Sequence, residues 1–245
     1  MRHFIIEQKS IQDDKAIITG SEARHVSRVL RRDVGDRLNL VDEHGVEYLA
    51  VIISKNQQDL EVKLLEKYPP PKESPIKVLL GQALPKARKM DYIVQKATEL
   101  GVHTIIPFFS TRTVPRLHGE RQEKKCERWQ KIALEASKQC GRKIIPKVEE
   151  ILTFEEIIEN WEDNSLKIIL WEDEKNNRLH TVLKNLQQFK KIVVLVGPEG
   201  GFTDKEIAAA RERTFQSAGL GSSILRTETA AVYLLSVLHY ELGQS

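Results

Sequence analysis

The chain has 245 residues, 40% apolar and 30% charged, with a formal net charge of +3; this is the balance of a folded globular protein and excludes a disordered one. No run approaches the roughly 18 consecutive apolar residues of a membrane span, and the start Met-Arg-His-Phe-Ile-Ile-Glu lacks the apolar core of a secretory leader, so a cytoplasmic protein is expected. The small net charge conceals a division: residues 73–146 carry 15 basic against 7 acidic side chains, residues 147–245 carry 11 against 16, and residues 1–72 carry 12 of each, so a polyanion would be met by the middle of the chain.

Residues 1–68 alternate apolar and polar positions over short stretches. Ala16 to Thr19, Asp36 to Val41, Val46 to Ser54 and Leu60 to Leu65 read as strands, separated by turn residues at Gly20, Gly35, His44-Gly45 and 56–59. Together they predict a small β-barrel. A helix from Ser21 to Arg32 interrupts them, with Ala23, Val26, Val29 and Leu30 on one face and Arg24, Arg28, Arg31 and Arg32 largely on another; such a face suits RNA phosphates and equally suits water. Between Lys67 and Pro75, the prolines at 69, 70, 71 and 75 can neither extend a ladder nor enter a helix interior. The domains therefore divide at about residue 72, into 1–72 and 73–245.

Beyond this linker, strands and helices alternate, which predicts an α/β domain with a mainly parallel sheet. Strands are expected at Ile76 to Leu80, Thr104 to Phe109, Leu166 to Trp171 and Ile192 to Val196. Helices are expected at Lys89 to Leu100, stopped by Gly101, at Lys124 to Cys140, Thr153 to Trp161 and Leu179 to Phe189, and at Ala230 to Leu242. The last is so apolar at Leu234, Leu235, Val237 and Leu238 that packing beyond its own sheet is expected. Cys126 and Cys140, roughly 21 Å apart on one helix at about 1.5 Å per residue, cannot form a disulfide, and no metal-ligand spacing is present.

Two C-terminal segments carry the chemistry. Gly197-Pro-Glu-Gly-Gly-Phe-Thr-Asp-Lys-Glu206 follows a buried strand; Thr203 and Glu206 have the spacing of a capping box, and Phe202 and Ile207 that of a hydrophobic staple, so a helix begins at about Asp204. Leu220-Gly-Ser-Ser-Ile-Leu-Arg-Thr-Glu-Thr-Ala230 places a small-residue turn, an Arg and a Glu before the terminal helix. Neither segment has the Lys-Ser/Thr of a phosphate-binding P-loop, and neither matches the G-x-G-x-x-G of a dinucleotide site.

These segments resemble the ribosomal RNA small subunit methyltransferase E family, in the SPOUT class of S-adenosylmethionine-dependent enzymes. The opening Met-Arg-His-Phe, His25-Val-Ser-Arg-Val-Leu-Arg31, Lys89-Met-Asp-Tyr-Ile-Val-Gln-Lys-Ala-Thr-Glu-Leu-Gly-Val102 and the segment from Arg128 to Arg142 are similar to the same family, so the resemblance spans the chain. Members commonly carry a basic residue just before Ile-Leu-Arg, where this chain has Ser223.

The resemblance implies an N-terminal PUA-like β-barrel that binds RNA, a C-terminal α/β domain closed by a trefoil knot, a homodimer, and methylation of N3 of one uridine in 16S rRNA, either naked or within the small ribosomal subunit. A ribose 2′-hydroxyl or another base as target, or RNA binding without chemistry, are the alternatives. It implies S-adenosylmethionine held by Leu195, Gly197, Gly200, Gly201, Leu220, Gly221, Ile224, Leu225 and Ala230. Because N3–H of uridine is a poor nucleophile, a base and a cation are needed; Arg226 is the candidate cation and Glu228 or Glu199 the candidate base, with helix capping the competing role for Glu228. RNA phosphates are expected at Arg24, Arg28, Arg31, Arg32, Lys86, Arg88, Lys89, Arg112 and Arg142.

Overall fold

The chain packs into two units. In a computed structural model describing residues 3–243 except 43, 57–58, 71–75, 116, 160 and 162–163, the first unit comprises Met1–Glu73 together with Ser137–Ile145, and the second Ser74–Ala136 with Pro146–Ser245.

The first unit contains β1 (His3–Ile5), β2 (Ile11–Gln12), β3 (Lys15–Ile18), α1 (Gly20–Arg24), β4 (Arg37–Val41), β5 (Glu47–Lys55) and β6 (Leu60–Tyr68). Its sheet runs β1-β4-β5-β6-β3-β2 and is antiparallel apart from the β1–β4 pair. The period of two sends Tyr48, Ala50 and Ile52 of β5 inward, against Leu40, Leu60, Val62 and the helical Val26. Register shifts between β5 and β6 at Leu49/Ala50 and Ile52/Ser54 bend the ladder. The sheet curls, and its path ends at β1 and β2 with no ladder joining them among the described residues. The helix expected over 21–32 is shorter: after Arg24 it widens into one turn over His25–Val29, where the Leu30 N–H donates to the His25 carbonyl at 3.0 Å, and Arg31 adopts φ 52. Ser137–Ile145 joins this unit through ion pairs of Lys138 with Glu22 and of Lys143 with Glu47.

The second unit contains β7 (Lys77–Ala83), α2 (Lys89–Glu99), β8 (Thr104–Phe109), α3 (Glu120–Cys140, its last turn belonging to the first unit), β9 (Lys147–Val148) and β10 (Leu152–Thr153). There follow α4 (Phe154–Ile158), β11 (Ser165–Leu170), α5 (Leu179–Val182), β12 (Lys191–Val196), α6 (Asp204–Glu212), β13 (Gln216–Ala218) and α7 (Thr227–Glu241). The sheet order is β10-β8-β7-β12-β11-β13, with β9 beside β8, and every pairing is parallel. Both faces are covered, as an all-parallel sheet requires. Along β12, Ile192, Val194 and Val196 join one core with α2, α3 and α7, while Val193 and Leu195 join the other with α4 and α6.

Two helices break where a continuous one is expected. The 179–189 helix is α5 followed by a tighter 3₁₀ segment at Leu183–Gln188, and the 153–161 helix ends at Ile158. Leu234, Leu235 and Leu238 of α7 are buried within their own unit, where α7 packs on α2. Val237 is partly buried against the same core, and Tyr233 and Tyr240 are the large side chains that α7 exposes. Among the described residues no helix is long and apolar enough to cross a membrane.

Candidate active site

The loop leaving β12 is held at every turn. Gly201 donates its N–H to the Pro198 carbonyl at 3.0 Å and adopts φ +66, where a Cβ would stand 1.9 Å from Glu172 Oε1; only glycine tolerates both conditions. Thr203 and Glu206 form the expected capping box, Glu206 Oε2 accepting from the Thr203 N–H at 2.8 Å and Thr203 Oγ1 accepting from the Glu206 N–H at 3.2 Å. The second oxygen of Glu206 accepts from the Thr111 N–H at 2.9 Å, so the same carboxylate pins the chain beyond β8. Burial pushes this carboxyl up, but the N–H groups of Thr203 and Thr111 outweigh it and hold it below the ordinary glutamate range. Phe202 and Ile207 are buried together as the staple requires.

The second loop is joined to the first by a hydroxyl. Thr227, at the start of α7, donates from Oγ1 to the Gly197 carbonyl at 2.6 Å and accepts from Nε2 of Gln82, on β7, at 3.0 Å. Gln82 is fully buried, so this link lies out of reach of competing water. At the other end, Gly219 donates to the Asn177 carbonyl at 3.0 Å and its own carbonyl accepts from Leu179 N–H at 3.2 Å; a Cβ there would meet the Glu174 carbonyl at 2.3 Å.

Between the loops opens a cleft of about 350 Å³, within the size range of small-ligand sites. Gly197, Gly201, Leu220, Gly221, Ile224, Leu225 and Ala230 line it, and so do Glu199 and Arg226. Leu195 does not: the alternation of β12 turns its side chain into the core on the opposite face. Gly200 also lies outside the lining; its carbonyl accepts from Arg112 Nη1 at 2.7 Å. Glu228 is half-buried just behind the cleft and is linked to it through Lys89.

Lys89 is the residue most differently placed from its expected role. Its Nζ stands 3.0 Å from Glu199 Oε1 and 3.2 Å from Glu228 Oε2, at the lining of the cleft. The backbone N–H of Lys86 also donates to Glu199, at 3.0 and 3.3 Å to its two oxygens. Burial raises the Glu199 carboxyl, yet the Lys89 ammonium and the N–H groups of Glu199 and Lys86 together hold it below its ordinary value. The Glu199 hydrogen bond holds the Lys89 ammonium above its own, against partial burial. Arg226 is exposed at the N-cap of α7, where its carbonyl accepts from the Ala230 N–H at 2.8 Å, and its guanidinium has no hydrogen bond or ion pair among the described residues.

Of the other residues expected at phosphates, Arg24, Arg28, Arg31 and Arg32 are exposed in the first unit, with Arg24 Nε donating to the Gly20 carbonyl at 3.2 Å and Arg32 3.7 Å from Asp36. Arg142 is half-buried, and burial lowers the pKa of its guanidinium. Lys86 and Arg88 are exposed before α2, and Arg112 grips the loop. Sequence reasoning missed Gln82, and it missed a cluster behind the cleft: Arg211 lies 5.5 Å over the lining Trp171 and donates to Glu174 at 2.9 Å and Ser217 at 2.7 Å. Nothing in the local sequence of these residues marks them, because each acts across a strand or helix distant in sequence.

A parallel sheet whose C-terminal loops fold over one cleft, joined to a small β domain, defines an RNA-modifying enzyme: residues 72–239 match the family described as RNA methyltransferase domain and residues 18–65 the RNA methyltransferase PUA domain. The chain is 33% identical to the ribosomal RNA small subunit methyltransferase E of Bacillus subtilis over 98% of its own length and 97% of that protein. It is also 33% identical to that of Mesomycoplasma hyopneumoniae, over 96% and 98%. The crystal structure of the Neisseria gonorrhoeae ribosomal RNA small subunit methyltransferase E, bound to S-adenosyl methionine, superposes with a TM-score of 0.86 at 29% identity, over 98% of this chain and 97% of that one. A methyltransferase of Legionella pneumophila, also in complex with that cofactor, gives 0.79 at 29% identity over 98% of each chain. The chain belongs to the ribosomal RNA small subunit methyltransferase E family.

Proposed function

We propose that this protein transfers a methyl group from S-adenosylmethionine to N3 of one uridine in the 16S rRNA of the small ribosomal subunit. It acts in the cytoplasm as a homodimer whose C-terminal segments form the knot that the resemblance implies. The observation that carries this reading is an unpaired guanidinium, Arg226, lining the same cleft as a carboxylate, Glu199, in a chain of this family.

The cleft fits the cofactor chemically. The nucleoside needs close backbone approach and an apolar floor, which Gly197, Gly201, Gly221, Leu220, Leu225 and Ala230 supply. Its cationic centre is favoured by Glu199 and Glu172 in the lining and by Glu228 behind it. When bound, S-adenosylmethionine supplies an electrophilic methyl group on a sulfonium.

The chain's own residues must then make N3 reactive. The base is turned out of any pairing, since N3 lies on its Watson–Crick edge. As the N3 proton leaves, negative charge spreads to the flanking carbonyl oxygens, and Arg226 stabilises it. Glu228 is the proposed proton acceptor, and Glu199, held ionised by Lys89 and the N–H groups of Glu199 and Lys86, serves to orient. Exposed arginines of the first unit take RNA phosphates.

Transfer of tritiated methyl groups to naked 16S rRNA and to small-subunit particles lacking the modification, with the nucleotide identified by mass, tests this reading. N3-methyluridine at one position is the expected product, and it stops primer extension. A 2′-O-methyl product would replace the proposed target, and a chain that binds no S-adenosylmethionine by calorimetry would remove the enzymatic reading.

A further inference from the structure

Lys89 opens α2 in company that a helix start disfavours. Lys86, Arg88 and Lys89 crowd the positive end of the helix dipole, where anions are stabilised and cations are not, and the one acidic residue of the first turn, Asp91, is bound to Arg128 at 2.7 Å. A lysine kept there for phosphate binding would point into solvent. Instead its side chain is mostly covered, 30% exposed, and reaches Glu199 and Glu228, themselves 24% and 18% exposed.

Both carboxylates meet one ammonium, so they stand within about 6 Å of each other, close enough for one to resist the ionisation of its neighbour. The charged groups facing Lys89 come from separate elements: Glu199 from the loop after β12 and Glu228 from α7. Glu172 beyond β11 and Arg226 at the start of α7 share the lining. Without the lysine, the Glu199 and Glu228 carboxylates would stand uncompensated beside a cleft that Arg226 also lines, and an arginine engaged by carboxylates is unavailable to substrate.

We propose that Lys89 is a positioning residue of the cleft: its ammonium holds the Glu199 and Glu228 carboxylates together as one anionic pair, and so leaves Arg226 unpaired for the substrate. The proposal rests on the methyltransferase reading above but not on which RNA atom is methylated. It takes Lys89 away from the RNA-phosphate set in which the sequence places it. Lys89 also ties the start of α2 to the loop after β12, while the Lys86 N–H makes a second tie to the same carboxylate.

The test compares Lys89→Met, Lys89→Arg and the natural protein in the full chain. In Lys89→Met the carboxylates become an uncompensated like-charge pair, so one of them titrates higher. Activity requires the ionised form and falls as pH drops through that value, so the acid limb of kcat moves to higher pH, by about one unit. Over the same range kcat falls about tenfold or more, while KM for RNA and its salt dependence stay as they are. Lys89→Arg restores the limb. Carbon-13 NMR titration of the glutamate carboxyls reads the same shift without turnover and without RNA, so it separates a failure of this proposal from a failure of the proposed reaction. An unchanged titration in Lys89→Met, or a loss confined to KM for RNA with a shallower salt dependence, would overturn the proposal. Thermal unfolding of each variant establishes that the native fold is compared.

Discussion

Arg226 makes the N-cap of α7 without using its side chain as a cap, and that side chain is exposed. Removing it leaves every described hydrogen bond in place, so Arg226→Ala is expected to shift unfolding by less than about 0.5 kcal/mol while lowering methyl transfer by about 10²- to 10³-fold, the usual cost of losing one oxyanion donor. Stability by urea titration and single-turnover transfer check the two halves separately. The loops that carry this residue are legible in the strand that stops at Gly197, the capping box at Thr203 and the small-residue turn at Gly221, whereas the role of Arg226 is what the resemblance and the chemistry of N3 imply. Lys89 could not be so read: its role comes from carboxylates that reach it only after the parallel sheet has brought α2, the loop after β12 and α7 together. The alternation that makes β12 a strand also sends the Leu195 side chain away from the cleft.

At the scale of elements, the start of α6 carries the strongest local signal and has the most exact outcome. Thr203→Ala removes one half of the capping box and is expected to cost about 1 kcal/mol, measured as a lower urea midpoint with unchanged slope. Glu206 adds a pH dependence whose sign follows from its lowered pKa. A carboxyl held lower in the folded chain than in the unfolded one contributes stability above the ordinary glutamate range, and loses it as pH falls through the folded value. Glu206→Gln is therefore expected to be less stable than the natural protein at neutral pH and to show a shallower loss on acidification, by urea titration across that range. Elements without such signals escaped the sequence. Strand β13 has only three residues, Gln216–Ala218, too few for alternation to declare itself, yet it delivers the chain to Gly219 and the second loop. The break between α5 and the 3₁₀ segment falls within an apolar run whose period fits a continuous helix.

For the molecule as a whole, the charge division along the sequence predicts where polyanions act but not which cations are free. Arg28 and Arg31 are exposed in the first unit, whereas Arg142 is half-buried and Arg112 is engaged by the Gly200 carbonyl. The double variant Arg28→Ala, Arg31→Ala is expected to weaken RNA binding uniformly across sequences and to reduce the slope of log K against log salt by about one for each lost phosphate contact, with cofactor binding unchanged by calorimetry. The proposed homodimer can be probed at Tyr240, 82% exposed on α7: Tyr240→Glu is near neutral for an isolated chain and is expected to halve the mass found by sedimentation if that helix face is shared between copies. The prolines mark a boundary at about residue 72 in the sequence. The return of Ser137–Ile145 to the first unit has no such mark, because it depends on Lys138 and Lys143 finding Glu22 and Glu47.

That return sets an order of events during synthesis. Chains build from the N-terminus at roughly 5–20 residues per second, and domains commonly fold as they emerge. Here the first unit lacks the partners of Glu22 and Glu47 until residue 145 has left the ribosome, by which time β7, α2, β8 and α3 are already made. A fragment cut at the proline linker would carry the complete curled sheet and still be an unfinished domain, its Gly45 turn uncovered by Ile144. The β unit of this protein is thus completed from within its neighbour's stretch of sequence, and the nascent chain must keep it waiting for several seconds.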